Sequence, residues 1–103
     1  MIRVMVSLDL MNAEPRRDDF YKLLATKGWV KLAHVDTVWT FSTPGHSKQD
    51  ELNAMADIAE VLTEAAIEFK PTRINYVAQI GNNVAIERVV EKRRNQYCAF
   101  DAV

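Results

Sequence analysis

The residue best placed to do chemistry is Asp9, at the C-terminal end of an alternating apolar run, Ile2 to Leu8. A carboxylate where a strand gives way to a loop is free to hold a hard cation such as Mg²⁺. If two copies pair across a two-fold axis, the same aspartate from each can share that ion. The competing reading is that Asp9 only caps the turn through Asn12. Arg16 and Arg17 follow closely and open the first helix. There they offer guanidinium groups, beside helix N-terminal amides, to a phosphate; Asp18 and Asp19 dilute that patch, and solvated surface charge is the plainer account. His46, in a Pro-Gly loop, is a candidate general acid or base if it meets Asp9. His34 reads as a structural residue within a strand. Ser7, Thr40 and Ser42 supply hydroxyls able to orient a substrate, and are equally ordinary strand residues.

Three further groups have structural explanations at hand. Lys92, Arg93 and Arg94 form the densest basic run, and cations at a helix C-terminus are favoured by the dipole, so a role on a nucleic-acid backbone is the lesser reading. Trp29, Trp39 and Tyr76 would stack bases if exposed, but their apolar contexts point to core or dimer packing. Met5, Met11 and Met55 read as core filling. Glycine-rich phosphate loops, nucleophile elbows and metalloprotease motifs are absent from the sequence.

The elements that would position these residues follow from pattern. Ile2, Val4, Val6 and Leu8 alternate with Met1, Arg3, Met5 and Ser7, the signature of a strand with one face in the core. Asn12 to Pro15 is a breaker cluster, with Pro15 suited to the first turn of a helix. Phe20, Leu23 and Leu24 give that helix an apolar face, and Gly28 ends it. The run Trp29 to Ser42 predicts two strands, near Val30 to Val35 and Val38 to Phe41, with a bend at Asp36 and Thr37. Thr43 to His46 is a loop, and Ser47 caps a helix running to about Phe69. Its expected apolar stripe is Leu52, Met55, Ala59, Leu62, Ala66 and Phe69. Pro71 closes it, and Arg73 to Ile80 is a strand with Ile74, Tyr76, Ala78 and Ile80 on one face.

After Gly81-Asn82-Asn83 two readings compete. The favoured one is a helix capped by Asn83 and carrying Val84, Ile86, Val89 and Val90. The other is an Asn-rich turn into a further strand. The whole reads as α+β, a ferredoxin-like β-α-β-β-α-β domain over residues 1–95 with an additional helical C-terminal segment. A loose tail, 96–103, follows unless Tyr97 and Phe100 dock. Two helices on one sheet face leave the other uncovered. Met5, Val77 and Val38 would lie there, and a homodimer is the simplest cover.

Bulk properties bound the rest. With 103 residues, 49% apolar and 26% charged, the chain has ordinary globular composition and room for one domain. So small a core is marginal, and pairing with a second subunit is a common remedy. A net charge of −1 excludes a bulk-basic nucleic-acid binder. Cys98 is the single cysteine, so no intrachain disulfide forms, and two histidines make no Cys/His zinc cluster. The opening MIRVMVSLDL reads as a strand and not a signal peptide, and no apolar run approaches the roughly 18 residues of a membrane span. A reducing, cytoplasmic setting is expected.

The segment Val6 to Leu10, V-S-L-D-L, resembles the V-S-Y-D-L/I opening of the superfamily of the small CRISPR adaptation nuclease, VapD-type ribonucleases and GhoS-type endoribonuclease antitoxins. His34 to Phe41, H-V-D-T-V-W-T-F, is similar to the Y-L-D-S-T-W-L-V of related short ferredoxin-like proteins. The resemblance spans roughly residues 1 to 80. It implies a ferredoxin-like homodimer. In the nuclease members, the aspartate matching Asp9 sits at the dimer interface and binds a divalent metal for phosphodiester hydrolysis. Leu8 stands where the family has tyrosine, and the chain after Ile80 does not match the strand that the CRISPR member exchanges between subunits. That departure favours the toxin–antitoxin-like branches. The leading expectation is thus a metal-dependent endoribonuclease or related nucleic-acid-processing protein acting on RNA, with Asp9 catalytic and Mg²⁺-binding and Arg16 or Arg17 on phosphate. The alternatives are a non-catalytic dimeric interaction or regulatory module, and a small-molecule enzyme or sensor using His46 and Tyr76.

Overall fold

Burial along the first strand follows the two-residue period that its sequence dictates. In the computed structural model, which describes residues 1–12, 16–35 and 37–102, Ile2, Val4, Val6, Leu8 and Leu10 of β1 (Ile2–Met11) are buried, while Arg3, Met5 and Asp9 are exposed. The expectations for Pro15 and Asp36 lie outside the described residues. α1 (Arg17–Thr26) buries Phe20 and Leu24, and Gly28 takes φ +87° just past its end, where a Cβ would be strained. Then come β2 (Val30–Lys31) and β3 (Val38–Thr43). β2 is far shorter than expected, so His34 lies exposed in the turn between them and not within a strand.

α2 (Lys48–Phe69) begins at a full capping box. Ser47 Oγ accepts from the Asp50 amide at 3.1 Å, and Asp50 Oδ2 accepts from the Ser47 amide at 3.2 Å. Those bonds, the Ser47 side chain first, hold the Asp50 carboxyl below its ordinary value. The helix ends at Lys70, in the left-handed region with φ 54°, whose N–H donates to the Ala66 carbonyl. Its buried stripe is Ala54, Ile58, Leu62, Ala65, Ala66 and Phe69. Leu52 is half exposed and Met55 and Ala59 flank the core, so the N-terminal half is turned by about one position from the expected face. Ile58, outside the expected stripe, is fully buried in its place.

β4 (Arg73–Ile80) buries Ile74, Tyr76, Ala78 and Ile80 as its alternation requires. The chain beyond it departs from the favoured reading. Residues 84–95 form no helix: β5 (Ile86–Arg93) pairs antiparallel with β4, and β6 (Gln96–Asp101) pairs with β5. The segment read as a loose tail is therefore an edge strand. Ile86, Val89 and Val90 fit helical and strand spacing alike, and pairing with β4 decides between them. Arg94 and Asn95, both at positive φ, make the two-residue turn. Tyr97 docks by donating to the Pro71 carbonyl at 2.8 Å.

The architecture is α+β: among the described residues, two helices and one antiparallel sheet of six strands, ordered β2-β3-β1-β4-β5-β6. This is two strands more than the four expected. Both helices pack on the face carrying Ile2 to Leu10, and the opposite face bears no helix. Among the described residues, no helix is long and apolar enough to cross a membrane.

Candidate functional site

Residues directly opposite in an antiparallel ladder share a face, so the register reads out the helix-free side row by row. One row runs Thr40, Met5, Gln79, and the next Val38, Ser7, Val77, Glu87. The third runs Asp9, Asn75, Val89, Phe100, and the fourth Met11, Arg73, Glu91, Cys98. Asp9 thus projects from the open face, as strand alternation requires. It lines a depression of about 500 Å³ together with Ser7, Thr37, Asn75, Val77 and Glu87. Asn75 Nδ2 donates to Met11 Sδ at 3.6 Å, which leaves its carbonyl oxygen free for another partner. Asp9, Ser7, Thr37 and Asn75 together present hard oxygen donors, the donor class Mg²⁺ takes. Among the described residues no three His, Cys, Asp or Glu side chains gather to hold a metal.

The other expected site residues lie elsewhere. Arg16 belongs to the helical layer: its guanidinium sits 4.7 Å from the Phe69 ring centroid, and Nη1 donates to the Glu68 carbonyl at 3.4 Å. It thus closes the C-terminal end of α2, on the opposite side of the sheet from Asp9. Arg17, the first residue of α1, is half-buried in the same layer. Neither is brought to the Asp9 depression. His46 sits beyond Thr43, which pairs with Ile2 at the far end of β1. Seven residues of strand separate Ile2 from Asp9, roughly 23 Å, so His46 does not serve Asp9 as acid or base.

Tyr76 faces the core at the Asp9 end of the sheet and does not converge with His46. Burial raises its phenol above the ordinary value, against an opposing pull from Arg88, so it is neutral. Trp29 and Trp39 are also buried, leaving none of these rings to stack on a base. The basic run lies on β5 and its turn, so helix-dipole placement does not apply. Lys92 Nζ lies 5.8 Å from the Tyr97 ring, and the Arg93 guanidinium 3.5 Å from that of Phe100.

Sequence reasoning missed Asn75 and Glu87. The signal for Asn75 was present, since it alternates with Ile74 and Tyr76. Glu87 was hidden by the helical reading of its segment. A second depression, about 540 Å³, lies on the same face towards the other end of β1, lined by Arg3, Met5, Val30, Thr40, Ser42 and Gln79. Glu91 binds two guanidinium groups on this face: Arg73 Nη2 at 2.8 Å and Arg93 Nη2 at 2.7 Å. Those bonds, Arg93 first, hold its carboxyl below the ordinary value. No protein-family model, curated protein or solved structure matches the chain.

Proposed function

We propose that the protein is a homodimeric, metal-dependent endoribonuclease, or a related nucleic-acid-processing protein of a defence or toxin–antitoxin type, centred on Asp9 in a ferredoxin-like cytoplasmic domain. The observation that carries the reading is the position of Asp9, beside Ser7, Thr37 and Asn75, in a depression on the sheet face without helices. Mg²⁺ keeps several waters and takes one or two carboxylates. One aspartate per subunit, doubled by a two-fold axis, suits that preference. A bound Mg²⁺ would supply Lewis acidity towards the scissile phosphate and its attacking water. Ser7 and Asn75 would orient the phosphate; Arg73 is the diagonal neighbour of Asp9 across the β1–β4 ladder, but its guanidinium is held by Glu91. The test is cleavage of a mixed RNA pool with Mg²⁺ or EDTA, beside Asp9→Ala. Metal-dependent cutting that the variant loses supports the reading; equal cutting by the variant removes Asp9 from it.

The second reading, a non-catalytic interaction module, rests on a different feature of the same face. Met5, Val30 and Val77 are 48%, 62% and 39% exposed there, apolar surface suited to a macromolecular partner. It predicts binding without turnover that is indifferent to chelator.

A further inference from the structure

The sheet ends in two unlike edges. β2, at one, is two residues long, and shortness itself protects an edge. β6, at the other, has six residues, Gln96-Tyr-Cys-Ala-Phe-Asp101, without proline, lysine or bulge. It lacks the usual devices against pairing with another strand.

The register fixes which backbone groups point outward. The two-residue turn makes Arg93 and Gln96 a hydrogen-bonded pair, and the Ala102 amide donates to the Glu87 carbonyl at 3.1 Å with the same alternation. Gln96, Cys98 and Phe100 are therefore bonded inward to β5. The N–H and C=O groups of Tyr97, Ala99 and Asp101 face away from the sheet. The Ala99 carbonyl also accepts a long bond from Arg88 Nη2, at 3.4 Å, and keeps a second lone pair.

We infer that this edge joins a second copy of the chain, β6 against β6 in antiparallel register, with Ala99 opposite Ala99 of the second copy. In that register Tyr97 pairs with Asp101 of the second copy, so every outward-facing residue of the strand finds a partner. The central row becomes Val90, Ala99, Ala99 and Val90, small and apolar throughout. The flanking row on the same face becomes Lys92, Tyr97, then Asp101 and Arg88 of the second copy. Asp101 is 85% exposed and ion-paired to its own Arg88 at 3.2 Å. Lys92 of the facing chain stands two strands away, roughly 10 Å between Cα atoms and within reach of its long side chain. No like charges face each other. Shifting the register so that Cys98 meets Cys98 would set Asp101 opposite the turn residue Asn95 and pair fewer outward groups. The joint does not bring the two Asp9 residues together, because β6 lies three strands from β1. The pairing of Asp9 under the proposed function uses a separate contact between open faces.

Directly opposed residues of a hydrogen-bonded antiparallel pair have Cα atoms about 5.5 Å apart, within disulfide range. Cys98 and its counterpart would be diagonal, at roughly 8 Å, and outside it. The test uses Ala99→Cys in a Cys98→Ser background, with Gln96→Cys in the same background as control, because its counterpart lies roughly 20 Å away along the strand. Mild oxidation is expected to cross-link the first into a dimer, leaving the control and the wild-type Cys98 monomeric on denaturing gels. Sedimentation of the wild type is expected to show a concentration-dependent association step, from monomer to dimer or, where the Asp9 faces also pair, from dimer to tetramer. Ala99→Pro, which removes an outward N–H and no β5 bond, is expected to weaken that step at least tenfold. A monomer at all concentrations, the absence of any association step sensitive to Ala99→Pro, or cross-linking through wild-type Cys98 in preference to Ala99→Cys would each overturn the inference. Because the cross-link reports position directly, it decides the matter even if the proline variant fails to fold.

Discussion

Asp9 and Asn75 stand directly opposite each other across the β1–β4 ladder, on the face that carries no helix. Neither side chain packs in the core, and Asp9 is exposed. The depression they share is thus separable from the stability of the fold. Asp9→Asn is expected to change unfolding free energy by less than about 0.5 kcal/mol, as for surface positions generally. If the proposed function holds, the same variant loses Mg²⁺-dependent RNA cleavage, so urea melts and cleavage assays on one preparation separate the two effects. A large loss of stability would show that Asp9 has a structural role instead.

The turned stripe of α2 gives a second prediction. Ile58 is fully buried and Leu52 is 48% exposed, although the helical period alone favoured Leu52 for the core. Ile58→Ala should cost about 2–5 kcal/mol, the range for deleting a buried aliphatic side chain, and Leu52→Ala under about 1 kcal/mol. Equal losses in chemical denaturation would contradict the observed helix rotation.

The contrast between these two residues shows what was legible in the sequence. Period-two runs placed β1 and β4 with their correct buried faces, and Ser47, Gly28 and Pro71 marked helix ends, because those signals are local. The rotation of α2 was not legible: Leu52, Met55, Ile58 and Ala59 are all apolar, and the choice among them belongs to the sheet they pack on. The β5–β6 hairpin is hidden in the sequence for a related reason. Ile86, Val89 and Val90 satisfy both periods, and only the distant β4 strand resolves them. Asp9 was found because it ends a clear strand. Arg16 and His46 are near it in sequence or in chemistry, yet sheet topology sends one to the helical layer and the other to the far end of β1.

The Glu91 carboxylate held between Arg73 and Arg93 gives a pH dependence. Its folded pKa lies below the ordinary value of 4.5, chiefly through the hydrogen bonds from Arg93 and then Arg73. A carboxyl lowered by folding contributes stability that is complete above the unfolded value. That contribution fades as pH falls through the lowered folded value. The advantage of wild type over Glu91→Gln, read from urea midpoints, should therefore be constant near neutrality and shrink below about pH 4.5. An advantage that grows on acidification would reverse the assigned sign.

The hairpin turn supplies the last prediction, and its consequence reaches the outer strand. Asn95 sits at φ 64°, after Arg94 at 51°, a pair of left-handed residues that the two-residue loop demands. Asparagine tolerates this region, glycine adopts it freely, and a β-branched residue does not. Asn95→Gly is therefore expected to raise stability by about 0.5–1 kcal/mol, and Asn95→Val to lower it by about 1–2 kcal/mol. Because the turn sets the β5–β6 register, the valine variant should lose hydrogen-exchange protection first at Cys98 and Phe100, whose amides bond inward to β5. The Tyr97 amide faces away from β5 and is no reporter of this loss, although the Tyr97 hydroxyl anchors the strand on the Pro71 carbonyl. Protection lost equally in β1 and β4 would mean that the hairpin unfolds only with the whole domain. Loss confined to β6 would make the outer strand a separate, less stable unit.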